Sequence, residues 1–112
     1  MTAATIKVDR DLARKAFTEE SGKLRDGELS RHLPGFTAIE TVGENTSVMS
    51  TMWYVWYVAT RVRDGKTYGF RHTYDVDTEW LVDPFRSFHN DKLTLTEMVQ
   101  KTKTVVFYET AK

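Results

Sequence analysis

The sequence predicts an α+β fold: an antiparallel sheet of four to five strands, an amphipathic N-terminal helix packed on one face, and a short C-terminal helix. Three observations support this prediction. Apolar residues recur at helical spacing from Leu12 to Leu24. The period of the apolar pattern falls to two from Phe36 onward, and Asp64-Gly65 separates two strand-like runs as a hairpin turn does. Cystatin-like and ferredoxin-like layouts both fit this order of elements.

A weak strand and a helix open the chain. Ile6-Lys7-Val8 alternates in polarity, and Asp9 or Asp11 can accept the free amide hydrogens at the start of a helix. The helix is expected to bury one apolar stripe. That stripe consists of Leu12, Ala13, Ala16, Phe17 and Leu24.

The helical region is expected to end in two steps. Ser21-Gly22 weakens the run, and Asp26-Gly27 ends or bends it. A short turn of helix through Leu29 and Leu33 is expected to follow. Pro34-Gly35 then closes the helical part of the chain, because proline cannot continue a helix.

Three strands are expected next. Phe36 begins the first, and Gly43-Glu44-Asn45 is expected to turn the chain into the second, at residues 48–62. Asp64-Gly65 is expected to form a two-residue type I′ turn that reverses the chain into the third, at residues 67–76. The middle of the chain is therefore predicted to be an antiparallel sheet.

Two more elements are expected near the C-terminus. Thr94-Leu95-Thr96-Glu97 matches a capping box and is followed by apolar residues, which predicts a short second helix. Residues 104–110 are β-branched and aromatic enough for a last strand. No repeat or low-complexity tract separates a second unit, so residues 1–112 are expected to form a single α+β domain.

The second strand lacks charged residues from Asn45 to Thr60, and its centre is bulky on both faces. With a two-residue turn, Ala59 pairs with Phe70, and the rest of the hairpin register follows. This register predicts one almost wholly apolar face, on which the helix packs through Leu12 and its neighbours in the stripe. The residues expected on that face are Trp53, Val55, Tyr57, Ala59, Phe70, Tyr74 and Val76.

The opposite face of the hairpin is the predicted partner-binding surface, because two short helices cannot cover both sides of the sheet. Its residues are Met52, Tyr54, Trp56, Val58, Arg71, Thr73 and Asp75. Tryptophan, tyrosine and arginine dominate binding hot spots, which favours an interface here. The face is covered by the loop at residues 77–92, by another subunit or by a partner. The loop carries the apolar residues Trp80, Leu81, Phe85 and Phe88.

Charge and composition argue against several classes of function. Sixteen Lys and Arg residues balance sixteen Asp and Glu residues, so no long-range field attracts nucleic acid or an anionic membrane. The absence of cysteine excludes disulfides, thiol catalysis and cysteine-bound zinc. The longest apolar run, residues 52–59, is too short to span a bilayer, and the first residues lack a signal-peptide pattern. A cytoplasmic location is therefore expected.

The histidines predict no catalytic or metal site, and no cofactor is expected. His32, His72 and His89 stand at no spacing that places two of them on one face of a helix or strand. His72 is expected to be a core histidine bonded to a neighbour. His32 is expected at a helix end, where the helix dipole favours it.

Two further groups contain residue types found in metal or catalytic sites, but neither is predicted to form one. Asp75, Asp77 and Glu79 share one side of an extended strand, as hard-cation ligands do, but a solvated strand end is the expectation. Ser87, His89 and Asp91 have the residue types of a hydrolase triad, but residues two apart in sequence do not reach its geometry.

Lys66-Thr67-Tyr68-Gly69-Phe70 resembles part of the central strand motif of RNA-recognition-motif domains, in which aromatic residues on the sheet stack on bases. The resemblance implies RNA or single-strand binding through Tyr68 and Phe70. Arg71 and Thr73 stand where the family has an aliphatic and an aromatic residue.

Taken together, these patterns predict a small non-enzymatic protein-interaction module that occupies a surface of another protein. An inhibitor or adaptor encoded by a phage or other mobile element is the expected kind. Its partner is another protein or a second copy of the chain, as in a homodimer. Two alternatives remain open. One is a small-ligand pocket or enzyme between the sheet and the loop at residues 77–92, and the other is RNA or single-strand binding on the sheet.

Overall fold

The computed structural model describes residues 4–45, 52–75, 83–86 and 91–99, which form an antiparallel sheet and a helix. The elements are β1 (Thr5–Asp9), α1 (Arg10–Glu19), β2 (Phe36–Asn45), β3 (Met52–Arg61), β4 (Thr67–Asp75) and β5 (Lys92–Met98). The five strands lie in the order β1-β5-β4-β3-β2, so β1 and β2 are the edges. The predicted α+β class is thus confirmed. None of the described helical residues forms a helix long and apolar enough to cross a membrane.

Helix α1 begins where the sequence predicts and ends earlier. The Asp9 carboxylate accepts a hydrogen bond from the Leu12 backbone N–H at 2.9 Å and caps the helix. The helix stops at Glu19, because Gly22 follows with a φ of 69°, which is typical of a helix end. The helical turn expected through Leu29 is wrong. Leu29 instead forms an isolated bridge with Thr37 at the start of β2.

Strand β2 continues through Gly43-Glu44-Asn45, which the sequence predicted to be a turn. A β-bulge between Thr37 and Glu40 interrupts its pairing with β3, and Ala38 adopts a φ of 51° there. Residues three apart in a regular strand point to opposite faces of the sheet. The additional residue of the bulge changes this alternation, so the side chains of Phe36 and Ile39 are both buried. The bulge thus brings two large apolar side chains of the edge strand into the core.

The hairpin of β3 and β4 has a four-residue loop, where a two-residue loop was predicted. Tyr57 pairs with Phe70 and Thr60 with Thr67, and the backbone N–H of Arg61 donates to the Lys66 carbonyl at 2.9 Å. The predicted register, with Ala59 opposite Phe70, is therefore wrong by two residues. Because side chains alternate with a period of two, this shift leaves every residue on its predicted face.

Three side chains hold the hairpin loop together. Asp64 accepts hydrogen bonds from the Arg61 Nε–H at 3.1 Å, the Tyr68 hydroxyl at 2.8 Å and the Lys66 backbone N–H at 3.0 Å. The hydrogen bond from Arg61, assisted by the other donors, holds the pKa of the Asp64 carboxyl well below its ordinary value. The carboxylate thus fixes the loop in place of the predicted type I′ turn.

Gly65→Val is expected to lower the free energy of unfolding by about 1–2 kcal/mol, because Gly65 has a φ of 68°, which side chains with a Cβ adopt at a cost. Gly65→Asn is the matched control, since asparagine tolerates this region far better. Urea unfolding of both variants measures the difference. Equal midpoints for Gly65→Val and the wild type would show that the loop does not need a left-handed residue.

The predicted C-terminal helix is wrong, since its residues lie in β5. Leu93 and Leu95 alternate with Thr94 and Thr96, and β5 pairs with β1 on one side and with β4 on the other. Leu95 is fully buried. Alternation and two-sided backbone pairing thus outweigh the capping-box pattern. The strand expected at residues 104–110 lies outside the described residues.

The core lies between α1 and one face of the sheet, which we call the helix face. Ala13, Ala16 and Phe17 are the buried residues of α1, whereas Leu12, predicted to pack in the core, is 38% exposed. The Phe17 ring centroid lies 5.6 Å from that of Tyr57 and 6.3 Å from that of Phe70. The predicted docking of the helix on this side of the hairpin is therefore confirmed.

Candidate functional site

The strand register places all seven predicted partner-binding residues on one side of the sheet. Tyr54 pairs with Thr73, Trp56 with Arg71, and Met52 with Asp75, and directly opposed residues of antiparallel strands share a face. Val58 lies opposite Gly69 on the same side. We call this side, turned away from α1, the far face. The side chains described there are those of Tyr54, Trp56, Val58, Arg71 and Thr73, whereas those of Met52 and Asp75 lie outside the description.

Arg71 is stacked on the aromatic rings of the far face. Its guanidinium carbon lies 4.2 Å from the centroid of Tyr54 and 5.6 Å from that of Trp56, so two cation–π contacts hold one side chain. Arg71 is exposed, and its head makes no ion pair with the described residues. The planar cation is thereby held over the two rings of the far face.

None of the described elements covers the far face. Helix α1 packs on the helix face, and the Phe85 ring joins it there, 6.0 Å from Phe17 and 5.1 Å from Tyr57 between centroids. Among the four apolar residues of the loop that were considered as a cover, Phe85 therefore packs on the opposite side. Trp80, Leu81 and Phe88 lie outside the described residues.

Phe85 is held by a compact turn. The Asp83 carboxylate accepts a hydrogen bond from the Phe85 backbone N–H at 2.9 Å and forms an ion pair with Arg14 of α1. The Arg14 guanidinium also lies 6.0 Å from the Phe85 ring centroid. The turn thus extends the core beyond the end of α1.

Trp53 corrects the predicted core. It lies on the helix face by register, opposite Tyr74, but it is 40% exposed because it stands near the end of β3, beyond the reach of α1. Of the other residues predicted on this face, Ala59 and Tyr57 are buried and Val55 and Phe70 are half-buried, while Val76 lies outside the described residues. The core is centred nearer the hairpin loop than predicted.

The histidine and carboxylate groups form no metal site among the described residues, where no three histidine, aspartate or glutamate residues cluster. His72 is half-buried on the helix face opposite Val55. His32 lies in a loop, and its Nε2 is 2.8 Å from the Glu19 carboxylate at the C-terminal end of α1. Asp77, Glu79, Ser87 and His89 lie outside the described residues.

A polar cleft of about 240 Å³ lies beside the end of α1, where the sequence predicts no site. Its lining includes Glu19, Glu20, Glu28, Arg31 and His32. Glu20 is 7% exposed, and its carboxylate accepts hydrogen bonds from the Ser30 hydroxyl and, at 2.8 Å, from the Arg31 backbone N–H. Glu20 therefore fixes the loop that follows α1, a long-range role that has no local sequence signal.

The two aromatic residues that carry the resemblance to RNA-recognition-motif domains both lie on the helix face. Tyr68 is 2% exposed and its hydroxyl is bonded to Asp64. Phe70 is stacked on Tyr57 with a centroid distance of 4.8 Å. Tyr68 is buried, with the Arg61 guanidinium 4.8 Å from its ring centroid, and Phe70 is stacked on Tyr57, so neither ring is presented to a base as the resemblance implies.

Comparison of the chain with protein-family models, with curated proteins and with solved structures finds no match.

Proposed function

We propose that the chain is a small protein-interaction module that binds a partner protein through the far face of its sheet, as an inhibitor or adaptor does. The stack of Arg71 on Tyr54 and Trp56 carries this proposal. A tryptophan, a tyrosine and an arginine in mutual contact combine the three residue types that contribute most to binding hot spots.

Two features of the surroundings support a protein partner. The aromatic rings are partly covered by the Arg71 side chain, so their faces are less open to a stacking base than to the side chains of a protein. The exposed side chain of Val42 lies next to Trp56 across the β2–β3 pair, which widens the apolar surface. A partner with apolar side chains and a carboxylate for Arg71 fits this surface.

Trp56→Ala is expected to weaken partner binding by about 30-fold or more, which corresponds to about 2 kcal/mol, because truncation removes the ring on which Arg71 rests. The measurement compares proteins retained from a lysate by the immobilised wild type and by the variant. Light scattering tests a second copy as the partner. Circular dichroism verifies that the variant is folded.

Trp53→Ala is the matched control, because Trp53 belongs to the same strand but lies on the helix face and is 40% exposed. It is expected to retain the partner, whereas Arg71→Ala is expected to lose it together with Trp56→Ala. The proposal is wrong if Trp56→Ala retains every protein that the wild type retains. It is also wrong if Trp53→Ala and Trp56→Ala lose the same proteins.

We propose a cystatin-like layout for this module, with one helix held against an antiparallel sheet within a single domain. The ferredoxin-like alternative requires a second helix before the last strand. Among the described residues after β4, none is helical.

A further inference from the structure

The two edges of the sheet differ in how they are protected. An exposed edge strand presents unpaired N–H and C=O groups, and proteins commonly protect such edges by short strands, lysines, bulges or covering loops. Strand β1 has only five residues, with Lys7 exposed at its centre. Strand β2 has ten residues, so its edge offers the longer template.

A loop covers only the first half of the β2 edge. The Gly22 backbone N–H donates to the Ile39 carbonyl at 3.0 Å, the Ser30 N–H donates to the Phe36 carbonyl at 2.8 Å, and Leu29 bridges to Thr37. Beyond Ile39, no described residue outside the sheet forms a backbone hydrogen bond with β2. Within the described part of the chain, the protection of this edge therefore ends at Ile39.

The second half of β2 points its backbone groups outward at alternate residues. Because the Ile39 carbonyl faces away from β3 toward Gly22, the backbone groups of Thr41 and Gly43 face the same way. Both residues are exposed, and no heavy atom lies within 4 Å of the Cβ position of Gly43. Within the described part of the chain, the outward backbone groups of Thr41 and Gly43 are therefore left without a neighbouring strand.

Charge indicates what kind of strand fits. Glu40 and Glu44 occupy far-face positions opposite Val58 and Tyr54, with Val42 between them, and residues 40–45 contain no lysine, arginine or proline. A second copy paired antiparallel about Val42 would place Glu40 of each copy opposite Glu44 of the other, and this like-charge pairing disfavours that register. A strand with Lys or Arg at these positions and an apolar residue between them is complementary.

We propose that the outer edge of β2 beyond Ile39 binds an extended basic segment of a partner protein as a sixth strand of the sheet. The backbone groups of Thr41 and Gly43 supply the hydrogen bonds, and the exposed Glu40 selects a basic side chain. This edge adjoins the far face at Val42 but does not depend on Trp56 or Arg71. The inference therefore extends beyond the proposed function.

The test uses the full chain and a synthetic peptide of about nine residues centred on Lys-Thr-Val-Thr-Lys, a length typical of strands. In amide NMR spectra, addition of the peptide is expected to shift and protect the N–H groups of Thr41 and Gly43. The same peptide with glutamate in place of both lysines is expected to bind at least about fivefold more weakly. N-methylation of alternate peptide amides is expected to abolish binding, because it removes the donors without changing the charge.

Glu40→Lys is expected to weaken binding of the lysine peptide about fivefold, whereas Trp56→Ala is expected to leave it within about twofold of the wild type. Glu40 is exposed, so its replacement leaves the fold intact. The proposal is overturned if the N-methylated peptide binds like the parent peptide. It is also overturned if the shifts fall on Tyr54, Trp56 and Arg71 and spare Thr41 and Gly43, which would support the far face alone. Self-association of the chain that shifts and protects the N–H groups of Thr41 and Gly43 without any peptide would assign the edge to a second copy and overturn it as well.

Discussion

Gly69→Ala is expected to destabilise the protein by about 3 kcal/mol or more, because an alanine Cβ has no space at this position. That Cβ would lie 2.1 Å from the Tyr57 carbonyl oxygen and 2.9 Å from the Val58 Cγ1 atom. The nearest atom belongs to the backbone, so a rotation of a side chain cannot relieve the clash. Gly69 pairs with Val58 in β3 and with Thr96 in β5, and β4 cannot move away from one neighbour without moving into the other.

Gly43→Ala provides the control for this prediction, since it is the same substitution in an edge strand of the same sheet. No heavy atom lies within 4 Å of the added Cβ at Gly43. There the variant is expected to match the wild type or to gain up to about 1 kcal/mol, because alanine loses less conformational entropy in a strand. Urea unfolding monitored by circular dichroism compares the two variants. Similar midpoints for both would mean that the close approach of β3 and β4 relaxes at little cost.

The face of the sheet on which each hairpin residue lies could be predicted from the sequence. Side chains alternate between the two faces with a period of two, so a register shift of an even number of residues leaves each one on the same face. The loop proved two residues longer than predicted, yet Tyr54, Trp56 and Arg71 still share one side. Their neighbours could not be predicted in the same way. The sequence placed Arg71 opposite Val58, whereas it lies opposite Trp56 and stacks on it. A candidate surface thus follows from local pattern, and its contacts follow from the loop geometry.

The segment at 94–97 shows why the C-terminal helix was mispredicted. Its sequence satisfies a helix capping box and also alternates leucine with threonine, so local patterns support both structures. The choice depends on partners distant in sequence, since Leu95 pairs with Ile6 of β1 and is fully buried. A local motif does not contain that information.

The position of Phe85 was beyond prediction for the same reason. The apolar residues of the loop are compatible with packing on either face of the sheet. Which face Phe85 packs on depends on its contacts with α1 and the sheet. Asp83 pairs with Arg14, and the Phe85 ring meets Phe17 and Tyr57. These contacts place Phe85 on the helix face, away from Arg71 and the two aromatic residues on which it rests.

Phe17→Ala is expected to lower the free energy of unfolding by about 3–5 kcal/mol, which is much of the stability of a small domain. The Phe17 side chain is 3% exposed, and its ring meets those of Tyr57, Phe70 and Phe85 at centroid distances of 5.6, 6.3 and 6.0 Å. Truncation removes the side chain through which α1 contacts both the hairpin and the turn that carries Phe85. Since three surrounding rings are held by separate elements, they cannot all collapse into the space.

Leu12→Ala is the control on the same helix, because Leu12 is 38% exposed and its loss is expected to cost no more than about 1 kcal/mol. Thermal and urea unfolding measure both variants, and near-UV circular dichroism reports the packing of the aromatic cluster. An equal loss of stability in the two variants would contradict the assignment of Phe17 as the side chain that joins α1 to the sheet.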